Sequence, residues 1–248
     1  RENGMGRVSG KVALVTGASR GIGRSVARAL AREGAHVIAV ARTVGGLEEL
    51  DDEIRDIGGS ATLVPLDLTD YAGIDRLGGA IFERWKRLDI LVANAGILGA
   101  ISPLGHVDIK TWEDTMAVNV TANWRLIRAL DPLLRQAPAG RAIFVTSGAA
   151  RNLRAYWGPY SVSKAALEAL VGTYAREVAK TNVRANLINP GPTRTAMRAK
   201  AMPGEDPRSL PHADSLAEAF LRLARAEFTE NGQVFDARSG VFAPLCIA

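Results

Sequence analysis

The sequence predicts one doubly wound α/β domain spanning residues 1–248, with a mostly parallel sheet of about seven strands. Three observations predict it. Short runs rich in Val, Ile and Leu recur along the chain, each apolar throughout instead of alternating. Longer stretches between them return their apolar residues at helical spacing. The first apolar run also leads straight into a glycine-rich turn. Strands apolar on both faces and separated by helices belong to a parallel sheet covered on both sides.

Residues 12–16 read as the first buried strand, and 21–33 as a helix with Ile22, Val26, Ala29 and Leu30 on one face. A strand follows at 36–40, a helix at 47–57, a strand at 61–66 and a helix at 74–85. Residues 90–92 form a short apolar strand, and 112–134 one or two helices ending before Pro138. Residues 142–146 read as a strand, 160–179 as a long helix and 183–188 as a strand closed by Pro190 and Gly191. A helix at 216–226 and a strand at 233–236 complete the pattern. Residues 196–213 hold Met197, Met202, Pro203, Gly204, Pro207 and Pro211 and read as an irregular loop, expected to cover the mouth of the site. Residues 1–10 are polar and expected to be flexible, and Met5 fits a start position.

Composition narrows the function. Hydrophobic residues make up 47% and charged residues 23%, a globular balance with no disordered tract. The net charge is +5, but the basic residues are dispersed among acids, so nucleic-acid binding is not expected. The single cysteine, Cys246, excludes an intrachain disulfide, and His36, His106 and His212 lie far apart, so no metal is expected. No apolar run approaches the ~20 residues that span a bilayer, and a cytoplasmic protein is expected.

The strongest local signal is the turn at 16–23. Gly17 suits the tight bend, Gly21 lets the backbone approach a pyrophosphate, and Gly23 lets the helix pack closely on the sheet. The helix N-terminus, with Ser19, Arg20 and Ile22 around it, offers free N–H groups to phosphates. The second strand ends Val40-Ala41-Arg42. NAD sites usually place an acid here for the ribose hydroxyls. Ala41 leaves room and no charge, while Arg42, with Arg20 opposite, can pair with a 2′-phosphate. NADP(H) is therefore expected over NAD(H).

With these features the chain resembles the short-chain dehydrogenase/reductase family, a Rossmann-type group, and within it the 3-oxoacyl reductases. Further marks follow in order: Asp67 and Leu68 after the third strand, Asn94-Ala95-Gly96 after the fourth, Asn119 in a helix, Ser147, Tyr160-x-x-x-Lys164, and Pro190-Gly191 with Thr193 and Thr195. The resemblance implies that Asp67 meets the adenine ring. It gives residues 94–96 the border of the cofactor, and 190–195 the nicotinamide carboxamide. It gives Lys164 the nicotinamide ribose and Asn119 a water that relays protons to it. It also implies a homodimer or homotetramer built on the helix at 160–179.

The residues themselves suit carbonyl chemistry. Tyr160 and Lys164 stand four apart and share a helix face. An ammonium ~4 Å from a phenol contributes up to ~4 kcal/mol at an effective dielectric of ~20, enough to draw the phenol toward neutral pH. Ser147, thirteen residues earlier at a strand end, can hydrogen-bond the substrate oxygen; Ser161 and Ser163 read as structural. The expected activity is NADP(H)-dependent interconversion of a carbonyl and a secondary alcohol. The alternatives are an NAD-dependent alcohol dehydrogenase and a non-catalytic dinucleotide-binding protein. Specificity is expected from residues 97–101, 151–157 and 196–213, where Arg151, Arg154, Tyr156 and Trp157 suit either a planar or anionic substrate or an interface.

Overall fold

A computed structural model describes residues 6–245; Met5 and Cys246 lie outside the described residues. The first strand, β1 (Val12–Thr16), is buried at all five positions. A turn joins it to α1 (Gly21–Arg32), which lays Val26, Ala27 and Leu30 on the sheet. Next come β2 (His36–Ala41) and α2 (Val44–Asp56), which buries Leu47, Leu50 and Ile54. The edge strand β3 (Ser60–Pro65) precedes α3 (Tyr71–Trp85), whose first turn is capped by Asp70 accepting from the Gly73 N–H at 2.9 Å. After β4 (Ile90–Ala93), Asp108 caps α4 (Ile109–Met116) in the same way, accepting from the Thr111 N–H. A π turn (Ala117–Thr121) leads into α5 (Ala122–Gln136). Then follow β5 (Arg141–Val145), the one-turn α6 (Ala149–Asn152), α7 (Gly158–Glu177) and β6 (Arg184–Asn189). Short α8 (Ala196–Ala201), α9 (Ala217–Ala224), β7 (Gln233–Asp236) and β8 (Val241–Pro244) close the chain.

The sheet runs β3-β2-β1-β4-β5-β6-β7-β8. Its first seven strands are parallel, and β8 pairs antiparallel with β7. Helices α1, α2 and α9 cover one face; α3, α5 and α7 cover the other. Strand order reverses between β1 and β4, so the loops at their carboxyl ends part and open a crevice.

Three details differ from the sequence expectation, and a fourth settles an alternative it left open. The sheet has eight strands, because Asp236 organises a hairpin: its carboxylate accepts from the Arg238 and Ser239 N–H groups, and Gly240 takes φ 70°. Residues 6–10, expected to be flexible, form a turn in which Val8 is buried and bonded through its N–H to the Glu33 carbonyl. The 112–134 stretch is two helices joined by the π turn. The 196–213 segment is not wholly irregular: Thr195 caps α8, and Arg198 pairs with Glu205 at 2.6 Å.

Arg141 shows how the sheet end opposite the crevice is held. It is 3% exposed, and no carboxylate pairs with it among the described residues. Its guanidinium donates to the carbonyls of Gly140, Asn182, Arg225 and Ala226 at 2.5–3.3 Å, tying β5 to the segment after α9. Burial lowers its pKa to about 10, so it remains charged at neutral pH. Arg141→Met strands those carbonyls and is expected to lower unfolding free energy by about 2–4 kcal/mol in urea titration. Arg141→Lys recovers less than half, since one ammonium cannot span four acceptors. A loss under about 0.5 kcal/mol in Arg141→Met, the range of an ordinary surface change, rules the account out.

Candidate active site

The crevice is floored by the turn after β1. Gly17 and Gly21 hold φ values of 66° and 56°, which side chains resist. A Cβ on Gly23 would sit 2.2 Å from the Gly17 carbonyl oxygen and 2.6 Å from Asn94 Nδ2. No side chain caps α1. The first-turn N–H groups therefore keep their partial positive charge for an anion. Thr16 is buried, and its Oγ1 accepts from the N–H groups of Asn94 and Ala95, both at 3.0 Å. Asn94 Nδ2 donates back to the Thr16 carbonyl at 3.0 Å. The 94–96 turn is thereby clamped to the glycine turn. Thr16 escaped the sequence reading, which saw it only as the end of a strand.

At the end of β2, Ala41 offers no acid. Arg42 Nη1 lies 3.6 Å from the Asp67 carboxylate, with both side chains exposed. Asp67 also accepts from Thr69 N–H and Oγ1, and these bonds hold its carboxyl below the usual range. Arg20 has no carboxylate partner among the described residues, and buried Leu68 lies beside Asp67 on the cleft wall. Across the crevice, the methyl of Thr195 lies 3.4 Å from the point a Cβ on Gly21 would occupy. Asn189 Oδ1 accepts from Gly191 N–H, and Asn189 Nδ2 donates to Asp236. Thr193 donates to the Gly191 carbonyl, which fixes the Pro190–Gly191 bend.

Beyond that bend stand Ser147, Tyr160 and Lys164. Ser147 Oγ accepts from the Ala149 N–H at 3.2 Å, which leaves its proton free to donate. Tyr160 is 9% exposed and Lys164 3%. Lys164 Nζ lies 5.7 Å from the Tyr160 ring centre and donates to the Val145 carbonyl at 2.8 Å. Burial pushes the Tyr160 phenol up, with the Ser147 hydrogen bond pulling partly back. This direction is opposite to the drop toward neutral pH expected from the spacing of Tyr160 and Lys164, and its main cause is desolvation of the phenol. Burial lowers Lys164 to about 8.

Asn119 sits fully buried in the π turn. Its Oδ1 accepts from Ile97 N–H, and its Nδ2 donates to the Ile97 carbonyl and to Ser163 Oγ, at 2.8–2.9 Å. Its backbone carbonyl accepts from Asn123 Nδ2. Ser163 in turn donates to the Tyr160 carbonyl at 2.8 Å. The sequence reading left Ser163 as structural; it links Asn119 to the backbone of Tyr160. Gly23 and Asn119 stand behind the cleft wall, whereas the other residues expected to be catalytic or to hold the cofactor line one cleft of about 1740 Å³.

At its substrate end the cleft is walled by Leu98, Val118, Trp157, Met197 and Ala201. Trp157 meets Tyr160 edge-on at 6.1 Å, and the Arg154 guanidinium lies 5.8 Å from the Trp157 ring. Arg151 and Arg154 line the cleft; Tyr156, 59% exposed, does not. Among the described residues no His, Cys, Asp and Glu cluster could hold a metal, and no helix is long and apolar enough to cross a membrane.

Residues 11–206 match the family described as short chain dehydrogenase. The chain belongs to the short-chain dehydrogenase/reductase family. It is an oxidoreductase of that family. It is similar to the uncharacterized oxidoreductase YciK of Escherichia coli, 38% identical over 234 residues that cover 93% of this chain and 92% of that one. An uncharacterized NAD-dependent oxidoreductase of Mycobacterium tuberculosis is 38% identical over 207 residues, 77% of this chain and 74% of its own. A Shigella flexneri short chain dehydrogenase solved in complex with NADP superposes with a TM-score of 0.91 at 37% identity, covering 94% of this chain and 99% of that one.

A test of the site follows from Lys164. Its folded pKa of about 8 lies below the ordinary 10.5, so between those values the unfolded chain binds more protons. Its contribution to stability therefore rises with pH across that window and is most unfavourable below it. Lys164→Met should abolish that rise and leave the melting temperature at pH 7 unchanged or higher. A melting temperature several degrees lower in Lys164→Met at pH 7 would contradict this account.

Proposed function

We propose that the chain interconverts a carbonyl and a secondary alcohol with NADP(H), Tyr160 serving as general acid and base. The observation that carries this reading is the meeting of a protonated, buried Tyr160 with the Ser147 hydroxyl and the Lys164 ammonium at an apolar-walled end of the cleft. The glycine cradle and uncapped α1 fit a pyrophosphate, residues 190–195 fit the nicotinamide end, and Arg42 with Arg20 fits a 2′-phosphate. A bound dinucleotide supplies or accepts the hydride. Ser147 donates its hydrogen bond to the substrate oxygen. Tyr160 then gives its proton to that oxygen as the carbon is reduced, and the Lys164 ammonium stabilises the phenolate left behind. Burial that keeps the phenol protonated suits the reducing direction. Apolar surface exposed at Trp124 and Val162, on α5 and α7, supports pairing with a second copy through these helices.

Titration of nicotinamide fluorescence tests the cofactor. NADPH is expected to bind at least ~10-fold more tightly than NADH, with Arg42→Ala removing most of the difference. Equal binding of both, unaffected by the substitution, sinks the preference for NADP(H). Turnover is then screened with NADPH against aromatic and aliphatic ketones and a 3-oxoacyl thioester. Tyr160→Phe should lower kcat ~10²–10⁴-fold with NADPH affinity retained. A Tyr160→Phe variant as active as the parent removes Tyr160 from the chemistry.

A further inference from the structure

We infer that Glu168 is the residue that positions Ser147. Glu168 lies four residues after Lys164 on α7, on the face turned toward the end of β5. Its side chain is 13% exposed. The two carboxylate oxygens take different partners. Oε1 accepts from Thr146 Oγ1 at 2.9 Å, and Oε2 accepts from Arg151 Nε at 3.2 Å. Thr146 immediately precedes Ser147 and is 2% exposed; Arg151 follows four residues later. One carboxylate therefore spans the short segment that carries Ser147 and holds it at both ends.

Between those anchors the segment has few ties of its own. Thr146 N–H still pairs with the Ile188 carbonyl of β6, the last such bond of the strand. After it the chain turns into α6, whose single turn is closed by Ala150 N–H on the Ser147 carbonyl and by Arg151 and Asn152 N–H on the Gly148 carbonyl. One helical turn is weak alone, since nucleation fixes several dihedrals for few hydrogen bonds. Glu168 supplies the outside constraint. Because α7 also carries Tyr160 and Lys164, the carboxylate sets Ser147 against Tyr160 through a single rigid helix. The inference rests on the reading of Ser147 as donor to the substrate oxygen.

The test uses the full chain, NADPH and the ketone turned over fastest in the screen. Glu168→Ala and Thr146→Val are each expected to lower kcat ~10-fold, as a small misplacement of a reacting group does. The NADPH dissociation constant should stay within about twofold, which a general loosening of the fold would not allow. Glu168→Gln keeps an acceptor for Thr146 and should retain kcat within about threefold of the parent. The double variant Glu168→Ala with Thr146→Val should be no worse than Glu168→Ala alone, because loss of the carboxylate already cuts the tie to Thr146. If Glu168→Ala does not fold, Thr146→Val carries the same comparison. Unchanged kcat in Glu168→Ala, beside a severe loss in Ser147→Ala, overturns the inference alone. Losses that multiply in the double variant, or weakened NADPH binding that parallels the loss of kcat, overturn it too. An unimpaired Ser147→Ala, or a parent chain that turns over no ketone, overturns the functional reading on which it rests.

Discussion

A Cβ on Gly23 would meet the Gly17 carbonyl oxygen at 2.2 Å and Asn94 Nδ2 at 2.6 Å, and the crevice depends on the absence of that atom. The glycine lets α1 descend onto β1 until Val26 and Leu30 reach the core. The same descent brings the Thr16 and Asn94 groups into mutual hydrogen bonding, which locks β4's outgoing turn to β1's. Those two turns flank the point where strand order reverses. A bulkier residue would lift α1 and loosen the Asn94 clamp. Glycine in a helix costs ~0.5–1 kcal/mol of chain entropy relative to alanine. Here that loss is offset by burial along the rest of the helix.

Burial acts on Tyr160 and Lys164 in opposite chemical senses but toward the same end. It pushes the phenol up and the ammonium down to about 8, favouring the neutral form of each. Among the described residues no carboxylate pairs with either. A buried lysine paired only with the Val145 carbonyl is a standing cost to stability. The cost makes sense if the cleft takes a dinucleotide as proposed, since added negative charge raises a lysine's pKa. An ammonium held more firmly in that way would in turn favour the phenolate of Tyr160. The two groups are thus coupled through whatever anion occupies the cleft, and neither intrinsic value describes the working site.

Much of this arrangement was legible in the sequence, for reasons that can be named. Strands buried on both faces announce themselves as unbroken apolar runs, so seven of the eight were placed. The eighth, Val241–Pro244, is short and half exposed, and its turn is made by the Asp236 carboxylate, not by a two-residue glycine turn. Tyr160 and Lys164 could be read as neighbours because helix periodicity is local. Ser163 to Asn119 and Thr146 to Glu168 could not, being separated by 44 and 22 residues. The burial that controls Tyr160 was also out of reach. A charge–charge estimate needs only spacing, whereas desolvation needs the surrounding packing. Arg141 looked like any basic residue at a strand start; only the carbonyls of two distant segments reveal its task.

The proposed cofactor preference turns on how weakly Arg42 is held. An exposed pair such as Arg42–Asp67, 3.6 Å apart, is worth ~0–1 kcal/mol in water. Asp67 does not depend on it, since Thr69 bonds its carboxylate first. Arg42 can therefore leave Asp67 at little cost for a phosphate, which accepts two parallel N–H bonds and carries more charge. With NADH the same site would set ribose hydroxyls beside Ala41, with no acid to accept their protons. Discrimination then comes from a gain on one side and a missing partner on the other. On this proposal a single exposed arginine sets its direction.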